Sequence, residues 1–190
     1  MKVREEILGI KPYVPGKPIE EVKRELGLDD VIKLASNENP LGPSPKGVAK
    51  AREAAAKLSL YPDGACFELK EALSKHLGVA SNQLIVGNGS DEIIKLLAET
   101  FLCPGDEVII GQYTFSEYEF ATRLMGGKLV VVEAKDWHED LAAMATAITN
   151  KTRLIFVGNP NNPLGTIASK AAVDELLAKL PQDAILVLDE

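Results

Sequence analysis

The chain has 190 residues, 46% hydrophobic and 26% charged, a balance that suits one globular core and excludes a disordered or fibrous chain. A net charge of −7 leaves no broad basic surface for nucleic acid. Two cysteines, Cys66 and Cys103, are too few for a disulfide framework or a metal cluster, so reduced thiols are expected.

Met1 to Gly9 is charged and lacks the apolar stretch of a signal peptide. No apolar run reaches membrane-spanning length, so a cytoplasmic protein is expected. Met1 to Leu28 reads as an arm: a short helical start, a Pro-rich turn from Lys11 to Pro18, then a charged helix over Ile19 to Leu26 ended by Gly27. Val31 to Ala35 is a short apolar run, a strand or extended entry. Asn39-Pro40-Leu41-Gly42-Pro43 is dense in helix breakers and predicts a loop. Ser44-Pro45 opens a helix, because Ser caps free N–H groups and Pro suits the first helical position. After the turn Tyr61-Pro62-Asp63-Gly64, the spacing of Phe67, Leu69, Leu73 and Leu77 predicts an amphipathic helix that Gly78 ends.

From residue 82 short apolar runs alternate with helical segments. Strands are expected at Gln83 to Val86, Glu107 to Ile110, Leu129 to Val132, Arg153 to Val157 and Ala184 to Leu188. Helices are expected at Ile93 to Phe101, Glu117 to Leu124, Leu141 to Ile148 and Ala171 to Leu180. The alternation predicts an α/β layer with a mostly parallel sheet, and the continuous apolar strands fit burial on both faces. The final run, Ala184 to Leu188, belongs inside a sheet, so the chain is expected to be a fragment cut within a domain.

Four strings carry candidate chemistry. Gly87-Asn88-Gly89-Ser90-Asp91-Glu92 joins a predicted strand to a helix. Its glycines permit a sharp turn, and the helix start offers N–H groups and a positive dipole end to an anion such as phosphate. Read alone, Ser90 is as well explained as a cap, and Asp91 and Glu92 as favourable first-turn acids. Tyr113-Thr114-Phe115-Ser116 follows a strand at its carboxyl end. Asn159-Pro160-Asn161-Asn162-Pro163-Leu164-Gly165 does the same, and ligands in open α/β sheets bind outside such ends. Its prolines stiffen the loop, so its amides can be held in place; a plain Pro-Asn turn explains the composition but not the position. Asp189 ends an apolar strand, where a carboxylate loses water and needs a partner. His76 and His138 are the only histidines and read as surface residues; no triad and no metal cluster is evident.

In order and context these strings, with Ser36-Asn37-Glu38-Asn39-Pro40, resemble the N-terminal half of the pyridoxal-phosphate aminotransferases of fold type I, most closely the histidinol-phosphate aminotransferase group. Leu164 departs from the family pattern, where Thr is usual. The resemblance implies a fold-type-I large domain, incomplete over 41–190, preceded by an arm and part of a small domain over 1–40. It implies pyridoxal 5'-phosphate as cofactor, with Gly89, Ser90 and Asp91 at its phosphate, Phe115 (or, failing that, Tyr113) stacked on its ring, Asn162 at its phenolic oxygen and Asp189 at its ring nitrogen. Tyr61 would reach the phosphate of a neighbouring subunit, which implies a homodimer with shared sites. Tyr13, Asn37 and Asn39 would close over the substrate. No metal, membrane or nucleic-acid partner is implied.

The implied reaction exchanges an amino group between L-histidinol phosphate and 2-oxoglutarate, in histidine biosynthesis. Relatives such as threonine-phosphate decarboxylase or an aromatic aminotransferase, and a non-catalytic dimerising module, are the alternatives. The Schiff-base lysine is expected downstream of Glu190. Lys170, in Ser169-Lys170, imitates the family's Ser-Lys pair but precedes Asp189, and it reads as an exposed helix residue. The chain by itself is therefore expected to be inactive.

Overall fold

The computed structural model describes residues 3–10 and 16–190, which fall into two compact units, one formed by the N-terminal segment with Val86–Glu190 and the other lying within Tyr13–Ile85.

The larger unit is built on four parallel strands, β1 (Glu107–Gly111), β2 (Lys128–Val132), β3 (Thr152–Gly158) and β4 (Ile185–Asp189), in the order β2-β1-β3-β4. Each connection carries a helix, as parallel pairing requires. The eight helices of the described residues are α1 (Glu5–Leu8), α2 (Ile19–Leu26), α3 (Pro45–Ala55), α4 (Phe67–Leu77), α5 (Gly89–Phe101), α6 (Ser116–Leu124), α7 (Leu141–Thr146) and α8 (Lys170–Ala178). Central β3 is the most deeply buried strand: Leu154, Ile155, Phe156 and Val157 have no solvent exposure. Its alternate residues feed two cores. Leu154 and Phe156 pack with Ile94 and Ala98 of α5 and Tyr118 and Ala121 of α6. Ile155 and Val157 pack with Leu141 and Met144 of α7 and Leu176 of α8 on the other face. The period-two alternation of side chains across a strand dictates this division.

The order of the strands reverses between β1 and β3. From β1 the chain crosses over α6 to β2 on one side; from β3 it crosses over α8 to β4 on the other. A crevice therefore opens at the carboxyl ends of β1 and β3, the usual ligand position in open α/β sheets. At the far end of this unit, Arg4 of the N-terminal segment donates a hydrogen bond to the Leu124 carbonyl at the end of α6.

In the smaller unit the local signals act as expected. Ser44 Oγ accepts from the Gly47 N–H with Pro45 at the first helical position, and Gly27 and Gly78 end α2 and α4 in the left-handed conformation. None of its described residues is buried.

Two expectations are corrected. Gln83 to Val86 is not a strand: Ser81–Gln83 forms a single 3₁₀ turn, and extended backbone follows it. Val31 to Ala35 is likewise without regular structure. Both runs have the composition of strands, but a strand exists only through a hydrogen-bonded neighbour, and none of the four strands pairs with either. Elsewhere α5 starts at Gly89 and not at Ile93, so Gly89 to Glu92 form its first turn with Asn88 at the N-cap.

Candidate active site

The site grows from the carboxyl ends of three strands. β3 ends at Gly158, which lies opposite Asp189 in the register of β4. The next residue, Asn159, donates its backbone N–H to the Asp189 carbonyl at 2.8 Å. The Asn-Pro loop thus leaves the sheet already tied to the strand that carries Asp189.

The three asparagines of that loop have different tasks. Asn159 Oδ1 accepts from the Ala168 N–H at 3.0 Å and fixes the loop's return. Asn161 is buried, with 4% exposure. Its Nδ2 donates to the Tyr113 carbonyl at 3.0 Å, and its Oδ1 accepts from the Leu164 N–H at 3.1 Å. Its own backbone N–H donates to the Thr166 carbonyl at 2.8 Å. Asn161 therefore binds the loop to the segment after β1. Asn162 is exposed and free to present its amide to a ligand. The peptide bonds before Pro160 and Pro163 are both cis.

Asp189 is half-buried. Tyr118, only 1% exposed, donates its hydroxyl to Asp189 Oδ2 at 2.6 Å. The phenol lies nearly parallel to Phe156, at 4.6 Å between centroids and 7° between planes. Phe115 meets its edge at 5.8 Å and 89°. Burial, and then the bond to Asp189, push the Tyr118 hydroxyl far above its ordinary pKa, so it remains a donor across the working pH range. Tyr118 was legible only as a core aromatic in an amphipathic helix. The one available clue was its place one helical turn after Phe115, on the face turned toward the sheet.

The candidate anion site, the start of α5, stands at the same edge. α6 opens just after β1, so its first turn lies at the carboxyl ends of the strands. Glu117 in that turn feels the charge of Asp91 in the first turn of α5; burial first, and then Asp91, raise its pKa. The two helix starts are therefore neighbours. No side chain caps α5, so the N–H groups of Gly89, Ser90 and Asp91 point outward without intrahelical partners. Gly89 has φ +82°, and a Cβ there would meet open space. Ser90 is thus not a cap. Glu92 reaches back instead, and its Oε2 accepts from the Asn88 N–H at 2.5 Å.

Gly89, Ser90, Asp91, Phe115, Asn162 and Asp189 accordingly share one edge of the larger unit. The remaining candidates have other surroundings or lie outside the described residues. Tyr61 is fully exposed in the smaller unit, and Asn37 is exposed there too. Asn39 is occupied within its own turn: Oδ1 accepts from Leu41 N–H at 3.0 Å and Nδ2 donates to the Gly42 carbonyl at 3.2 Å. Tyr13 lies outside the described residues. Lys170 is on the surface, 2.5 Å from Asp174. Tyr113, the second aromatic candidate, stacks on exposed Trp137 at 5.4 Å. Among the described residues no cluster suited to a metal is present.

The donor set suits pyridoxal phosphate on chemical grounds. An uncapped helix start takes a phosphate dianion, a carboxylate held by a buried phenol takes a protonated ring nitrogen, and a free amide takes a phenolate oxygen.

Comparison with known proteins agrees. The profile of the family "aminotransferase class I and II" matches residues 29–190. The histidinol-phosphate aminotransferase of Moorella thermoacetica is 61% identical over 189 residues, which cover 100% of this chain and 49% of that protein. Histidinol-phosphate aminotransferase 1 of Cupriavidus pinatubonensis is 48% identical, with 97% and 50% covered. The structure of the Sinorhizobium meliloti histidinol-phosphate aminotransferase with pyridoxal-5'-phosphate superposes with a TM-score of 0.88 at 27% identity, over 100% of this chain and 50% of that one. Thermus thermophilus aspartate aminotransferase with maleate gives 0.82 at 27% identity, with 100% and 53% covered. The chain spans about half the length of the relatives it matches.

Proposed function

The chain belongs to the aminotransferase class I and II family, and from that premise we propose that the complete polypeptide is a pyridoxal-phosphate-dependent histidinol-phosphate aminotransferase. It would exchange an amino group between L-histidinol phosphate and 2-oxoglutarate, in the cytoplasm, as a step of histidine biosynthesis. The observation that carries the reading is the convergence of Asp189, held by Tyr118, with Asn162 and the start of α5 at one sheet edge.

The cofactor, when bound, supplies a conjugated electron sink for the carbon that carries the substrate's amine. This chain's residues bind and orient it. The N–H groups of Gly89, Ser90 and Asp91 would hold its phosphate dianion, with the dipole of α5 adding to the attraction. Asp189 would pair with the proton on the ring nitrogen and favour its retention. Tyr118 keeps the carboxylate aimed, and Phe156 beneath keeps Tyr118 in place. Asn162 would donate to the phenolic oxygen, and Phe115 would cover one ring face. Proton transfer at the substrate carbon requires a lysine that is neutral when it acts. Lys170 does not serve, because it is exposed and paired with Asp174.

The same reading assigns 1–40 to an arm and part of a small domain and 41–190 to the large domain. It assigns Tyr61 to a partner's cofactor phosphate in a homodimer, Tyr13, Asn37 and Asn39 to substrate closure, and no activity to the 190 residues alone. Similarity to the M. thermoacetica protein named histidinol-phosphate aminotransferase, at 61% identity, supports histidinol phosphate as the amino donor.

Assay of the complete polypeptide tests the proposal. Glutamate formation from histidinol phosphate and 2-oxoglutarate, well above that from aromatic amino acids and without decarboxylation of threonine phosphate, is expected. Turnover of threonine phosphate alone would overturn the substrate assignment. Absence of any pyridoxyl-lysine after borohydride reduction would overturn the enzymatic reading.

A further inference from the structure

Glu139 sits in the short segment between the Lys135–His138 bridge and α7, beside Asp140, whose carboxylate caps that helix. Such a position ordinarily sends a glutamate into water. Here the side chain turns inward, into the crevice between the ends of β1 and β3. A Cβ added to Gly111, the last residue of β1, would lie 2.7 Å from Glu139 Oε1 and 3.0 Å from its Cγ. The carboxyl therefore occupies room that exists only because β1 ends in glycine. Gly158 at the end of β3 and Thr166 and Ala168 of the following loop line the same small cavity, about 20 Å³ in volume.

Glu139 Oε1 is buried without a hydrogen-bond partner, and so is Thr114 Oγ1. Loss of water raises the Glu139 pKa to about 7, although the polar groups of Thr114 and Asn161 and the Gly158 N–H lie near enough to favour the charged form in part. The titratable groups around it are Tyr118 of α6, Asp189 of β4 beyond that phenol, and His138 and Asp140 on its own segment. From β1 with its following segment, and from the 159–169 loop, only uncharged groups face it: Thr114, Asn161 and Thr166.

We propose that Glu139 is a positioning residue for the Asn159–Gly165 loop, and that its protonation state governs how firmly the loop takes the cofactor. The inference rests on the pyridoxal-phosphate reading above. Asn161 Nδ2 carries two N–H groups and lies within reach of Glu139. It now donates to the Tyr113 carbonyl, and this bond holds the loop against the segment after β1. A neutral Glu139 leaves that bond undisturbed. An ionised Glu139 pulls Asn161 Nδ2 and the Gly158 N–H toward itself, strains the bond to the Tyr113 carbonyl, and adds a negative charge that the Tyr118 hydroxyl feels. The loop then loosens, and Asn162 beside Asn161 presents its amide less well.

The test uses the complete apoprotein, wild type and Glu139→Gln, titrated with pyridoxal phosphate by absorbance from about pH 6 to about pH 8.5. Titrations of the cofactor and of other protein groups affect both proteins and cancel in the ratio of their affinities. That ratio, Gln over wild type, is expected to rise about fivefold or more as Glu139 ionises. A constant ratio across the range overturns the inference and leaves the functional reading standing. No binding by either protein at any pH overturns both. If the Gln variant does not fold, the protonated-carboxyl infrared band of wild-type apoprotein decides. Its loss around neutral pH together with falling cofactor affinity supports the inference, and affinity that falls without any change in the band overturns it.

Discussion

Tyr118 and Asp189 stand 71 residues apart in sequence and meet at 2.6 Å, through a hydroxyl that donates to a carboxylate. The contact joins the helix after β1 to the end of β4, and it fixes the acid that the proposed function assigns to a cofactor ring. A hydrogen bond to a charged group contributes about 1.5–3 kcal/mol. Tyr118→Phe keeps the stack on Phe156 and removes only the donor. In the complete polypeptide it is expected to weaken pyridoxal-phosphate binding by about tenfold or more. Equilibrium titration of the apoprotein checks this; unchanged affinity would show that Asp189 needs no such support.

Asn161 and Asn162 are chemically identical neighbours with opposite expected effects. Asn161→Ala removes the side-chain partners of the Tyr113 carbonyl and the Leu164 N–H in a part-buried setting, so a loss of about 1–2 kcal/mol in stability is expected. Asn162→Ala alters an exposed side chain, so stability should hold within about 0.5 kcal/mol while cofactor affinity falls. Urea denaturation beside cofactor titration separates the two. Equal destabilisation by both changes would refute this division of labour.

Glu139 should make stability pH-dependent. Its folded pKa of about 7 lies above its ordinary value of 4.5. Between these values the folded state holds more protons than the unfolded chain, so stability falls as pH rises. The contribution is complete below about pH 4.5 and lost above about pH 7. The melting temperature of the wild-type apoprotein, measured against Glu139→Gln, is expected to drop across that window and run level outside it. A difference that grew with rising pH would have the wrong sign.

Gly111 and Glu139 should behave as a complementary pair. Gly111→Ala places a methyl group 2.7 Å from Glu139 Oε1 and forces the carboxyl out of its crevice, at an expected cost of about 1–3 kcal/mol. In a Glu139→Ala background the methyl group has room, so the second substitution should cost less. A double-mutant cycle by thermal denaturation measures the coupling, and strict additivity would contradict the packing.

The sheet was largely legible from sequence. Its strands are apolar runs bounded mostly by Gly or polar residues, and burial on both faces leaves little alternative composition. Gln83 to Val86 has a similar composition and forms no strand, because composition cannot supply a hydrogen-bonded neighbour. Of the candidate site, the stretches with local signatures were legible: a glycine-rich turn before a helix, a proline-stiffened amide loop and a carboxylate ending a strand. The residues that hold them were not. Tyr118 resembles any core aromatic until β4 is seen beside β3. Glu139 resembles a solvated acid before a helix until Gly111 is seen to leave space for it. Asn161 and Asn162 differ only in which way the loop turns them.

The most direct measurement is a crystal structure of the complete polypeptide with pyridoxal phosphate. The account predicts the phosphate at the N–H groups of Gly89, Ser90 and Asp91, the ring nitrogen about 2.7–2.9 Å from Asp189 and the phenolic oxygen within reach of Asn162. A ring bound elsewhere, or turned so that Asp189 faces the phosphate, would contradict it.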